Sequence, residues 1–130
     1  MSLLRRSRGV GLWRVTVAFL LVTTPIETMY SWRGGLLDPY YLVKVAGWIL
    51  LTWGSVRFRN PHLPGGTSLL AAGWGWMAAN FWRAVADRLA RVAVGQDLRL
   101  GSVELWFAEG CLVVSLIALA WSLVAAARER

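Results

Sequence analysis

The chain has 130 residues, of which 57% are hydrophobic and only 16% charged, against roughly 25% charged in an average soluble domain. Its apolar residues are gathered in blocks of roughly 20, the length that crosses a bilayer, so the bilayer is the expected solvent and a water-soluble monomer would struggle to hide its apolar surface. The formal net charge is +7, but Arg5, Arg6, Arg8, Arg57, Arg59, Arg128 and Arg130 stand at the ends of apolar blocks, where cations orient membrane helices, so nucleic-acid binding is not expected.

The opening stretch, MSLLRRSRGVGLW, resembles the charged region of a signal peptide. A long apolar run follows it without an A-x-A cleavage site, which predicts an uncleaved first span over about 12–31. Trp13 and the Tyr30/Trp32 pair mark its two ends as interfacial aromatics. Near the far end stand Pro25 and Glu27. Pro25 has no N–H to give the carbonyl of Leu21, so a kink is expected there, with Thr23, Thr24 or Thr28 covering the freed group. A carboxylate at Glu27 must lie near the interface, hold a proton or meet a partner from another helix.

Gly34-Gly35 and Asp38-Pro39 then break the chain, and Pro39 suits the first turn of a new helix. The second span is expected over about 39–57, with Tyr40 and Tyr41 at its start and Arg57 and Arg59 at its end. Gly47 and Gly54 share one face, where a neighbouring helix can approach closely. The sequence NPHLPGG, residues 60–66, predicts a compact turn.

The third span is expected over about 67–88, and its helical pattern continues to about Val92. The surplus, RAVADRLARVAV, reads as an amphipathic extension that leaves the membrane as helix or lies on its surface. Ala71, Gly75 and Ala79 recur every four residues, as helix-packing faces do. After a polar loop from Gly95 to Ser102, the fourth span is expected over about 103–126. Ser115, Ala118, Ser122 and Ala125 form a small, weakly polar stripe suited to the inside of a bundle.

The fold class is therefore all-α: a four-transmembrane-helix antiparallel bundle in a single domain. That arrangement puts seven arginines on the side of the termini against four, Arg33, Arg88, Arg91 and Arg99, on the other. The excess predicts both termini in the cytoplasm, in a bacterial inner membrane.

At about 1.5 Å per residue, Glu27, Lys44, Arg83 and Glu109 all fall in the outer third of the membrane, with Asp87 just above. Asn80, Arg83 and Asp87 share one face of the third helix. An intramembrane polar cluster of Glu27, Lys44, Asn80, Arg83, Asp87 and Glu109 is thus expected, with Arg83 and Lys44 as counter-ions of the two glutamates. It reads most simply as ion pairs that fix the register of the bundle. A contact with a partner protein and a solute or proton site are the other two readings.

No catalytic set is present. The single histidine, His62, sits in a Pro/Gly-rich loop, and the single cysteine, Cys111, sits in an apolar block. A haem held by two histidines of this chain, an internal disulfide and a Cys/His metal cluster are therefore excluded, and no metal or cofactor is expected. Nine tryptophans are present; packing and interfacial anchoring explain them better than contact with a lipid or pigment.

The expected function is a non-catalytic accessory subunit that packs against a larger membrane complex, for instance an energy-transducing one. The expected partners are membrane lipids and other integral membrane subunits or further copies of itself. The alternative is a small oligomeric transporter or channel that uses the outer Glu/Arg pocket. A membrane enzyme has only carboxylates and arginines to work with and comes last.

Overall fold

The apolar blocks fold as four helices in chain order: α1 (Ser2–Trp32), α2 (Pro39–Arg59), α3 (Gly66–Ala93) and α4 (Ser102–Arg128). The computed structural model describes residues 2–32, 39–60, 62–96 and 102–129, with backbone alone at 2–8, 30–31 and 102–104. No strand occurs among the described residues. The breaker turn around Gly34 and Asp38, Arg33, Arg99 and Arg130, and the side chains of Arg5, Arg6, Arg8, Tyr30 and Glu104, lie outside them.

α1 runs without interruption through Pro25. The hydroxyls near it do not cover the carbonyl of Leu21 as expected. Thr23 Oγ1 donates to the Phe19 carbonyl at 2.7 Å, and Thr28 Oγ1 pairs with the hydroxyl of Tyr41 at 3.0 Å. The reason is reach: a helical hydroxyl bonds the carbonyl one turn behind it. Seen from Thr23 and Thr28, Leu21 is not at that spacing, and Thr24, three residues after it, makes no hydrogen bond to a described residue.

The α2/α3 seam explains why this sequence packs as it does. Gly47 faces Met77, Leu51 faces Gly73, Gly54 faces Leu70, and Phe58 faces Gly66. One number rises as the other falls by the same step, the signature of an antiparallel pair. The steps along each helix are four, three and four residues, as in a coiled-coil seam. Each contact sets a glycine against the facing helix, and at Gly54 and Gly66 the nearest atoms are backbone, so the two backbones approach closely. A Cβ on Gly66 would lie 2.5 Å from the backbone nitrogen of Phe58, and one on Gly73 2.8 Å from Leu51 Cδ2.

The expected Ala71/Gly75/Ala79 face is looser. A Cβ on Gly75 would meet Leu119 of α4 at an ordinary 3.8 Å, Ala71 is half-buried and Ala79 is exposed. The close approaches of α3 are instead made by Gly66 and Gly73, on the face toward α2. The α2–α3 turn is held by His62 N–H to Asn60 Oδ1 at 3.1 Å and by Arg57 Nη1 to the Pro64 carbonyl at 3.0 Å. Gly65 ends it at φ 83°, a left-handed value that suits glycine.

α3 also packs extensively on α4, while α1 leans on α2 and touches α4 only slightly. Thr67 Oγ1, at the start of α3, donates to Glu129 Oε2 at 2.5 Å just past the end of α4. Across the centre, Phe19 of α1 meets Trp74 and Phe81 of α3 edge-on at 4.8 and 6.0 Å between ring centres. Beyond Val85, its last buried residue, α3 continues as exposed helix to Ala93.

Polarity is distributed in an unusual way. The inward stripe of α1 reads Leu12, Thr16, Phe19, Thr23 and Glu27, and that of α4 reads Ala108, Cys111, Ser115, Ala118 and Ser122. Four of these hydroxyls bond the carbonyl four residues back, at 2.7 to 2.9 Å. The outer faces carry Leu21, Ile49, Val56, Trp82, Trp106 and Ile117, all more than half exposed. The small, hydroxylated stripes belong to α1 and α4, while α2 and α3 supply large buried side chains, Trp48, Leu51, Leu70, Trp74 and Met77, so the centre of the bundle is apolar.

Two segments are long and apolar enough to cross a membrane, Gly9–Met29 in α1 and Leu105–Arg128 in α4. At 1.5 Å per residue, α2 and α3 reach about 31 and 42 Å, enough for ~30 Å of hydrocarbon. They are less apolar because α2 carries Lys44, Arg57 and Arg59, and α3 carries Asn80, Arg83, Asp87, Arg88 and Arg91.

A candidate functional site at the start of the second helix

The first turns of α2 join two neighbours at once. Residues 41 and 44 lie on one side of the helix and 40 and 43 on the other, since consecutive positions are about 100° apart. The first pair meets α1. Lys44 Nζ is ion-paired and hydrogen-bonded to Glu27 Oε2, and Tyr41 shares its hydroxyl with Thr28. The second pair meets α3. The Val43 carbonyl accepts from Trp76 Nε1 at 2.7 Å, and Tyr40 receives Arg83 both at its hydroxyl, 3.3 Å from Nη2, and over its ring at 4.8 Å.

The Glu27–Lys44 pair is the most sequestered charge in the described chain. The Glu27 side chain is 12% exposed and that of Lys44 25%. Glu27 is on the inward stripe of α1, so its carboxylate is carried into the bundle by the same periodicity that buries Thr16 and Thr23. Lys44 reaches it along a flexible stem, with its ammonium turned to the carboxylate. A paired, largely desolvated carboxylate of this kind fixes helix register, because losing its partner leaves a charge without compensation.

The other expected members go elsewhere. Arg83 is exposed and pairs with Tyr40 rather than with a glutamate. Asn80 Nδ2 donates to the Trp76 carbonyl one turn back at 2.9 Å, and Asp87 pairs with Arg91 at 3.2 Å on the exposed extension. Glu109 is on the outer face of α4, with no ion pair or hydrogen bond to any described residue. The structure thus brings Glu27 and Lys44 together and leaves Arg83, Asp87 and Glu109 outside that pair.

No family model, no curated protein and no solved structure matches this chain. Its reading rests on its own residues.

Three contributors went unseen in the sequence. Tyr41 with Thr28, and Tyr40 with Arg83, appear there only as interfacial aromatics and a helical threonine. Trp76 stands there only among the nine tryptophans, without its backbone acceptor on α2. The glycines Gly66 and Gly73 did carry a signal, since they are spaced like Gly47 and Gly54. Two glycine pairs of the same spacing on consecutive helices are what an antiparallel close contact needs.

Along the α1/α2 seam runs a shallow groove of about 680 Å³, from Leu20 and Thr52 past Pro25 to Trp48. A second, of about 410 Å³, continues it from Leu20 and Thr52 to Trp13 and Arg59.

Proposed function

We propose that the chain is a single-domain integral membrane protein of four membrane-crossing helices, with both termini on the cytoplasmic side of a bacterial inner membrane. We further propose that it acts as a non-catalytic subunit packed against other membrane subunits. The observation that carries this reading is Glu109. Its carboxylate lies on the outer face of α4 about 6 Å beyond the start of the apolar segment, at 1.5 Å per residue, among Trp106, Val113 and Val114. A charge facing lipid is costly and normally meets a partner. Gly110 beside it has open space around its Cα, which leaves room for a second helix to come close.

The pairing of Glu27 with Lys44 favours a structural role for that carboxylate over a transport role. Transport is the second reading, and it predicts flux lost in Glu27→Gln. In the subunit reading the partner carries a cation or hydrogen-bond donor opposite Glu109.

Native-gel migration after extraction in a mild detergent tests this. The unaltered protein is expected to run with larger membrane chains, and Glu109→Arg to release them while its helical content is kept. A lone monomer in both cases would sink the subunit reading.

A further inference from the structure

We infer that the α1/α2 groove is a binding site for one anionic phospholipid. The phosphate would lie at Arg59 and an acyl chain along the seam toward Pro25. The inference rests on the membrane reading above but not on the subunit reading.

Three observations point to this occupant. The first is shape. The two grooves share Leu20 and Thr52, so they form one channel. From Trp13 to Pro25 on α1 the channel is about 18 Å long at 1.5 Å per residue. One leaflet is about half of the ~30 Å hydrocarbon thickness, so the groove has the length of a single lipid tail.

The second is charge at one end only. Arg59 lines the mouth of the groove, with its guanidinium held 4.7 Å over the ring of Trp13. A guanidinium stacked on an aromatic ring keeps its N–H groups for other acceptors, and a phosphate is one that suits it. No described residue accepts a hydrogen bond from it. Arg14, next to Trp13, is exposed at the same end.

The third is an unmet donor. Ser55 lines the groove one turn, about 6 Å, inward of Arg59. It is 95% buried, and its Oγ has no hydrogen-bond partner. Its helical neighbours Thr16, Thr23, Ser115 and Ser122 all bond a carbonyl one turn back. A buried hydroxyl without a partner is uncommon. The Ser55 Oγ is itself covered, so an ester oxygen of the lipid, a few ångströms below the phosphate, accepts from it only where the groove wall yields.

The test begins with membrane fractionation, where the chain is expected to need detergent for release. A chain found in the aqueous fraction overturns the membrane reading and this site together. The detergent-extracted protein is then given equal amounts of phosphatidylglycerol and phosphatidylcholine with identical tails, and bound lipid is counted by native mass spectrometry. One phosphatidylglycerol per chain is expected, preferred over phosphatidylcholine. Arg59→Gln should reduce that preference by roughly fivefold, the effect of one basic residue on an anionic lipid. Arg128→Gln, away from the groove, should leave it unchanged. Thr52→Trp, which fills the shared middle, should lower retention of both lipids. Equal retention of the two lipids by the unaltered chain, or an undiminished preference in Arg59→Gln, overturns the site while leaving the membrane reading in place. Arg59 is exposed, so that variant remains informative if Thr52→Trp does not fold.

Discussion

Lys44 pairs with Glu27 from the same turn of α2 that sends Tyr41 to Thr28, so α1 is held to α2 at two adjacent points. The pairing makes a sharp energetic prediction. Removing one member of a largely buried pair leaves the other charge without compensation, at about 3–5 kcal/mol, while replacing both with apolar residues is near neutral. Glu27→Leu and Lys44→Met should each lower the unfolding free energy by an amount of that order, and the double substitution by much less. Denaturant titration in detergent, followed by tryptophan fluorescence, measures it. Additive losses would show that the two residues do not depend on each other.

The glycine seam predicts an ordering among substitutions that look alike on paper. Gly66→Ala puts a methyl group 2.5 Å from the backbone nitrogen of Phe58, and backbone cannot rotate away as a side chain can. Overpacking of this kind costs about 1–3 kcal/mol. Gly110→Ala meets open space on a helix and should gain about 0.5–1 kcal/mol from helix propensity. Thermal unfolding of the two variants in one detergent separates them. Equal stability would mean that α2 and α3 are not in close contact at Gly66.

The bond from Thr67 to Glu129 ties the start of α3 to the end of α4. A hydrogen bond to a charged acceptor contributes about 1.5–3 kcal/mol when both groups are withdrawn from solvent. Thr67 is buried, but Glu129 is exposed, so the lower end of that range applies. Thr67→Val and Glu129→Ala should each destabilise by about 1.5 kcal/mol, and together by little more than either alone. Full additivity of the two losses would show that the bond does not form in detergent.

Much of this arrangement was legible in the sequence, and the limits have physical causes. Four helices separated by Gly/Pro breakers follow from block length and turn residues. Depth puts Glu27, Lys44, Arg83 and Glu109 at one height when about 1.5 Å is counted per residue, without choosing which of them pair. Depth, however, says nothing about direction around the helix. Arg83 and Glu109 are at a comparable height and still do not join the pair. Arg83 is on the exposed side of α3 and meets Tyr40. Glu109 is one position from the buried Ala108, about 100° around α4, and faces outward. Which small residues make close contacts was legible only in part. Gly47 and Gly54 stand on a seam, whereas for α3 the seven-residue pair Gly66/Gly73 makes the close approach. A four-residue run of small residues marks a permissive face, and only a matching partner helix turns it into a tight one.

Topology gives the last prediction. Leu63 in the α2–α3 turn and Gln96 after α3 are both exposed, and α3 lies between them. If the helices cross the bilayer in succession, the two positions are on opposite sides. In a Cys111→Ala background, Leu63→Cys should react with a membrane-impermeant maleimide only in inside-out vesicles, and Gln96→Cys only in right-side-out ones. Native Cys111, 8% exposed within the apolar part of α4, should react slowly in both. The arginine excess on the side of the termini sets the direction of the expected result. Labelling of Leu63→Cys and Gln96→Cys from the same side would mean that α3 does not cross.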